Sequence, residues 1–148
     1  MSARLRDERP FVRLVKEATI KGAMREGRPT AIDEMERVDL VVCGSVAVNR
    51  EGVRVGKGGG YSDLEFGVLV EAGLVGDRTV IATTVHPLQL LDQELPETEH
   101  DFRVDVVVTP EGVIETGAEG RPPGILWDHL EEAKIADVPV LARLLGTS

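Results

Sequence analysis

The stretch Val38-Asp39-Leu40-Val41-Val42-Cys43-Gly44-Ser45-Val46-Ala47-Val48 decides the fold class. It is near-continuous apolar and rich in β-branched side chains. That is the pattern of a strand buried on both faces, hence a central strand of an α/β sheet. Asn49-Arg50-Glu51-Gly52 reads as a turn and Val53-Arg54-Val55 as a short extended piece, and the run Gly56-Lys57-Gly58-Gly59-Gly60 follows. From Tyr61 to Gly73 the period changes. Leu64, Val68, Leu69 and Ala72 recur at helical spacing, and Gly73 can end a helix. The glycine run therefore joins an extended segment to a helix start.

Working outward, residues 79–85, 104–109 and 113–116 read as further strands, and Pro87 and Pro96 bracket a helical turn over Leu88 to Asp92. Glu97 to Asp101 is a polar loop, residues 117–124 a Gly/Pro-rich connector, and residues 128–133 and 138–145 short helices. Ile32 to Glu36 is a short helical candidate with Asp33 as its cap. The alternation of strand and helix predicts an open, largely parallel α/β layer structure in one domain spanning residues 1–148. Ligands of such sheets sit beyond the carboxyl ends of strands, where Gly56–Asp63 and Thr84–His86 fall.

The bulk properties narrow the classes of function. The net charge of −9 and an aromatic content of 3% argue against a nucleic-acid surface, which needs basic patches and stacking platforms. No apolar run approaches the roughly 18 residues of a membrane span, and Met1-Ser2-Ala3-Arg4 lacks the apolar stretch of a signal peptide, so the expected location is cytoplasmic. Cys43, the single cysteine, sits in an apolar run and reads as a packing residue. Most of the positive charge lies in residues 1–30, with Arg4, Arg6, Arg9, Arg13, Lys16, Lys21, Arg25 and Arg28. That segment reads either as a solvated helix with its loops or as a basic lip beside an anion site.

Four glycines in five positions carry the chemistry. Without Cβ atoms the backbone can approach an anion closely, and φ > 0 lets successive N–H groups converge into a nest. The helix starting at about Tyr61 adds its own unpaired N–H groups, and Lys57 and Arg54 add charge. The spacing is neither the P-loop, since no Gly-Lys-Ser/Thr closes it, nor the dinucleotide fingerprint, since Tyr61 stands where the third glycine belongs. A tight turn into a helix is the plainer alternative. Asp63, in the first helical turn, reads as a helix-dipole partner or as a Mg²⁺ ligand beside phosphates, with Asp101 as the second carboxylate or a solvated loop residue. His86 and His100 are acid–base candidates whose commoner use is structural, and Trp127 reads as a core anchor.

The run Gly52-Val53-Arg54-Val55-Gly56-Lys57-Gly58-Gly59-Gly60-Tyr61-Ser62-Asp63, with Glu97-Thr98-Glu99-His100-Asp101-Phe102-Arg103-Val104-Asp105 downstream, resembles the paired motifs of the 5-formyltetrahydrofolate cyclo-ligase family. Gly44-Ser45-Val46-Ala47-Val48, Tyr61-Ser62-Asp63-Leu64-Glu65 and Pro123-Gly124-Ile125-Leu126-Trp127 look closer to its divergent branch of methenyltetrahydrofolate synthetase domain-containing proteins. The resemblance implies a three-layer α/β/α fold with a mostly parallel sheet, of the NagB/RpiA/CoA-transferase type. It implies transfer of the γ-phosphate of Mg-ATP to the formyl oxygen of 5-formyltetrahydrofolate. Ring closure by N10 and loss of phosphate then give 5,10-methenyltetrahydrofolate. By match to the motif, Arg54, Val55, Gly56, Lys57, Gly58, Gly59, Gly60, Tyr61 and Ser62 would carry ATP, and Lys57 and Arg54 would act in catalysis. Lys57 to Tyr61 would also border the folate, and Asp63 and Asp101 would hold Mg²⁺.

There are departures. Family members carry an N-terminal half with a basic helix that also contacts ATP, whereas the signature here begins near residue 38, and Ser62 replaces the second tyrosine of the motif. A core without that layer is expected to expose apolar sheet surface and to form a homodimer. The alternatives to an enzyme are a nucleotide- or phosphate-binding module without turnover and an interaction protein derived from the family.

Overall fold

The computed structural model describes residue 9 and residues 11–13, 19–58, 60–121 and 124–146; Gly59 of the glycine run lies outside the described residues. In chain order the elements are β1 (Phe11–Arg13), α1 (Ile20–Glu26), β2 (Arg28–Thr30), β3 (Leu40–Cys43), β4 (Ala47–Asn49), β5 (Arg54–Val55), α2 (Tyr61–Glu71), β6 (Val80–Thr84), β7 (Leu90–Leu91), β8 (Val106–Thr109), β9 (Gly112–Glu115), α3 (Glu132–Asp137) and α4 (Pro139–Gly146). They fall into two compact units, Arg37–Ile125 and Met1–Glu36 with Leu126–Ser148. The fold is α/β, with mixed sheets and helices.

The unit Arg37–Ile125 is built on a four-stranded sheet of order β3-β6-β8-β9. β3, β6 and β8 run parallel, and β9 returns antiparallel beside β8. The core cluster includes Ile81 and Val107 of the sheet and Phe66 of α2, with Val41, Cys43, Leu69, Val70 and Ile114 packed against it. Among the described residues of this unit, α2 is its one α-helix, layered on that face of the sheet. On the opposite face Leu40, Val42, Val80 and Val113 are exposed.

The run 38–48 is not one central strand. It breaks at Gly44-Ser45-Val46, and β4 joins a second sheet of order β5-β4-β7. β3 is an edge strand, with Leu40 and Val42 at 55% and 62% exposure. The centre belongs to β6, which is paired on both sides and whose Ile81 and Thr83 are fully buried. Burial along β3 does alternate, as a half-exposed strand requires, but apolar residues on both faces conceal the period. Thr83 marks the break: its hydroxyl donates to the Cys43 carbonyl at 2.9 Å and lies 2.8 Å from the Ser45 hydroxyl. Cys43 is half-buried, and burial pushes its thiol above the usual range, in keeping with a packing role.

The expected turn at Asn49–Gly52 forms. The Asn49 side chain accepts from Val53 N at 2.9 Å, and Gly52 has φ 82°. A Cβ on Gly52 would sit 2.3 Å from the Val104 carbonyl oxygen, so the turn lies tight against the segment before β8. α2 begins and ends near its expected limits: Gly73, at φ 67°, donates to Val70 O, and Leu74 N donates to Leu69 O. The helical turn expected at 88–92 is instead a 3₁₀ turn, Pro87–Gln89, leading into β7, because His86 caps it: its Nδ1 accepts from Leu88 N.

In the other unit, β1 and β2 pair antiparallel beside α1, which Thr19 caps through its hydroxyl. Ala31, Ile32, Val138, Val140 and Leu141 are buried. Ile32–Glu34 is a 3₁₀ turn that Asp33 does not cap. Glu34 accepts from Ala31 N there, while Asp33 faces Arg143 at 3.6 Å. Trp127 is half-buried at the start of a 3₁₀ turn, not a fully buried anchor, because that turn lies at the surface with Asp128 and His129 exposed. No described helix is long and apolar enough to cross a membrane.

Candidate nucleotide site at the glycine loop

β5 runs antiparallel to β4, so its end at Val55 lies beside the start of β4, where the chain has just left the carboxyl end of β3. The glycine loop thus opens on the side of the sheet where α/β ligands bind. Gly58 has φ 82° and Gly60, which precedes α2, has φ 63°. A Cβ on either would meet nothing within 4 Å. Glycine is needed there for the left-handed backbone, and the space in front of the loop is open. The first N–H groups of α2 have no intrahelical acceptor. Lys57 and Ser62 are exposed on the loop, and Val55 and Gly56 are half-buried.

Beneath the loop lies Arg54, its side chain 3% exposed. Its Nη2 donates to Asp63 Oδ1 at 2.7 Å, and its guanidinium carbon lies 4.0 Å from the centroid of the Phe102 ring. Phe102 in turn stacks on Phe66 of α2, with centroids 4.3 Å apart. The arginine is thus held from two sides, by an ion pair and by a ring face. Its Nε is buried without a partner, and a Cβ on Gly56 would lie 3.4 Å from its Nη1. The guanidinium therefore abuts the start of the loop with donors to spare.

Asp63, in the first turn of α2, feels opposing influences. Burial pushes its carboxyl up, Arg54 pulls it down and the charge of Asp101 pushes it up again, leaving it above the ordinary aspartate range. Asp101 accepts from Thr98 N at 2.7 Å and from the Thr98 hydroxyl at 2.9 Å. The two carboxylates, 38 positions apart in sequence (101 − 63), thus lie in each other's field. They carry more negative charge than Arg54 offsets, and oxygen donors of this kind suit a hard divalent cation. His86 is engaged as a cap, and His100 is exposed in a turn.

Two open hollows of about 320 and 340 Å³ share Asp77, Arg78 and Thr79 at the amino ends of the parallel strands. There Arg121 donates to both oxygens of Asp105 and to Thr79 O, so the charges are already matched. The chemistry favours the glycine loop, where Arg54 gives one side-chain hydrogen bond and keeps Nη1 beside Gly56. Sequence reasoning missed Phe102 as the ring under Arg54 and Gln89, whose side chain ties the turn before β7 to Ser45 O and Val46 O. Phe102 stands beside Asp101 in the second motif, but only the fold brings it to Arg54.

Residues 10–110 match the sequence profile described as the 5-formyltetrahydrofolate cyclo-ligase family. The chain is 42% identical over 135 residues to a methenyltetrahydrofolate synthase domain-containing protein of Bos taurus, covering 88% of this chain and 35% of that protein. The Homo sapiens protein of the same name is 42% identical over 134 residues, covering 88% of this chain and 35% of its own length. A mitochondrial 5-formyltetrahydrofolate cyclo-ligase of Arabidopsis thaliana is 33% identical over 95 residues, covering 62% of this chain and 34% of that protein. The chain therefore spans about a third of the length of the curated relatives it matches.

Proposed function

Because this chain belongs to the 5-formyltetrahydrofolate cyclo-ligase family, we propose that its glycine loop binds ATP and that the chain supports ATP-dependent conversion of 5-formyltetrahydrofolate to 5,10-methenyltetrahydrofolate. The observation that carries this reading is the loop itself. Two left-handed glycines with open space about them lead into the start of α2, and the buried Arg54 has its Nη1 beside Gly56 at the start of the loop. The backbone from Gly56 to Ser62 would cradle the phosphates, with exposed Lys57 reaching the terminal one. Arg54, fixed by Phe102 and Asp63, would hold the loop from below. Its contribution is position and field, not a mobile contact.

Asp63 and Asp101 would hold Mg²⁺, whose charge offsets that of the phosphates when bound. The chain's own part would be to fix the two carboxylates, Asp101 through its hydrogen bonds from Thr98 and Asp63 through its bond from Arg54. The same reading includes a homodimer that covers the apolar sheet face bearing Leu40, Val42, Val80 and Val113. Light scattering would then give twice the 16.0 kDa chain mass.

The test is appearance of the methenyl product by absorbance with Mg-ATP and 5-formyltetrahydrofolate, alongside calorimetric titration of ATP. Turnover that vanishes in Lys57→Ala supports the reading. Binding of ATP without turnover favours a non-catalytic nucleotide-binding module, and absence of ATP binding overturns both.

A further inference from the structure

The loop that carries Asp101 is closed at its base by a pair of charges. Arg103 donates from Nε to Glu97 Oε1 at 2.8 Å and from Nη2 to Glu97 Oε2 at 2.7 Å. Two parallel bonds of this kind fix the orientation of the side chains as well as their distance. They hold the Glu97 carboxyl below the usual glutamate range, against the opposing charge of Asp101. Inside the clamp lies the turn. Asp101 N donates to Thr98 O at 3.1 Å, and Thr98 N and the Thr98 hydroxyl both donate to Asp101 Oδ2. The turn thus spends one carboxylate oxygen and leaves Oδ1 over. Past the turn the chain is pinned to the core: Phe102 is 2% exposed with its ring under Arg54, and Val104 N donates to Gly52 O at 2.9 Å. The core fixes the downstream end of the loop, and the fork ties the upstream end to it.

Such a pair contributes little to folding. The Arg103 and Glu97 side chains are 45% and 28% exposed, water screens their attraction, and ordering two long side chains costs entropy. What the fork supplies at this position is rigidity. We propose that Glu97 and Arg103, which themselves would not touch the ion, are positioning residues that set Asp101 for the divalent cation it would share with Asp63. The proposal rests on the reading of those two carboxylates given above. The sign of the charge separates it from a plain field effect. Arg103 is a cation two positions from Asp101, so its charge alone opposes a bound metal, and removing it would tighten binding. The clamp demands the reverse. Without the fork the turn loosens, and cation binding must order it again.

The experiment is titration of the full chain with Mn²⁺, which takes the same oxygen ligands as Mg²⁺, with the free ion read by electron paramagnetic resonance. Wild type, Asp101→Asn, Arg103→Gln, Arg103→Lys and the exchanged pair Glu97→Arg with Arg103→Glu are compared, each with its urea midpoint. Arg103→Gln is expected to weaken Mn²⁺ binding about fivefold, with the urea midpoint nearly unmoved. Arg103→Lys keeps the charge but not the fork, and is expected to weaken it about threefold. The exchanged pair is expected to return to within about twofold of wild type. Unchanged or tighter binding in Arg103→Gln overturns the clamp, as does wild-type affinity in Arg103→Lys. A loss of affinity that only follows a fall in the urea midpoint makes the pair a tie for the fold and overturns its positioning role. A wild type that binds no Mn²⁺, or binding that Asp101→Asn leaves intact, overturns the cation reading and the clamp with it. Loss in Asp101→Asn without loss in Arg103→Gln overturns the clamp alone.

Discussion

A buried and a half-buried arginine, Arg54 and Arg121, sit near opposite ends of the parallel strands, and the fold uses them differently. Arg121, at the amino ends, places Nη1 and Nη2 on the two oxygens of Asp105 at 3.0 and 2.7 Å, and Nη2 also on Thr79 O at 2.7 Å. Asp105 accepts from Ile81 N as well, so the pair staples the connector after β9 to the edge of the central strand. Arg54, near the carboxyl ends, makes one side-chain hydrogen bond, to Asp63, and otherwise lies on the Phe102 ring. Both leave Nε buried and unpaired, so that feature does not separate them. What separates them is the rest of the guanidinium. Arg121 is matched by carboxylate and carbonyl, whereas Arg54 keeps Nη1 beside a glycine notch. Arg121 is spent as a lock, and the proposed site at Arg54 keeps a donor for a ligand.

The sharpest way to break this comparison is to remove each arginine. Arg54→Ala leaves a partly buried Asp63 without its counter-charge and Phe102 without its cation, and should cost about 3–5 kcal/mol in urea unfolding. Arg121→Ala removes a more exposed pair, with side chains 14% and 24% exposed, and should cost about 2–3 kcal/mol. Only the first should also abolish ATP binding. Equal loss of ATP affinity in both variants would erase the distinction between lock and site.

Smaller effects sharpen it. Lys57→Ala should leave stability within about 0.5 kcal/mol, since Lys57 is exposed, and weaken ATP binding about tenfold by titration. Gly58→Ala meets no atom and carries only the cost of its left-handed backbone, about 1 kcal/mol by thermal unfolding. The smallest effect is on pH. Burial holds Asp63 protonated to a higher pH than in the unfolded chain, so folding takes up its proton and stability falls as pH rises from about 4 through the raised value. Glu97 acts in the opposite direction: the Arg103 hydrogen bond lowers its pKa, giving stability that is complete above the ordinary glutamate value and lost as pH falls through the lowered one. Urea midpoints of wild type and Asp63→Asn between pH 4 and 7 should show the wild type losing ground as pH rises. A constant difference would remove Asp63 from the account.

Much of this was legible in the residues. The glycine run, the turn at Gly52 and the helix stop at Gly73 follow from backbone chemistry that only glycine supplies, and each is local. The strand at 38–48 was misread for a tertiary reason: whether an apolar strand is central or at an edge depends on what pairs beside it. Apolar residues on both faces of β3 remove the alternation that would have shown its exposure. Arg54 was legible as a positive charge beside the glycines. Its burial on Phe102 was not, because the ring comes from a segment 48 positions later (102 − 54).

The sequence by itself determined the α/β class, the family motifs and the glycine loop that leads into α2, because periodicity, glycine φ values and motif spacing are properties of neighbouring residues. Only the tertiary structure decided that β6 is the central strand, that Asp63 and Asp101 share a field, and that the arginine under the loop is fixed while the one at the far end is spent. Those outcomes depend on which distant surfaces exclude water together and on the burial and pairing that follow.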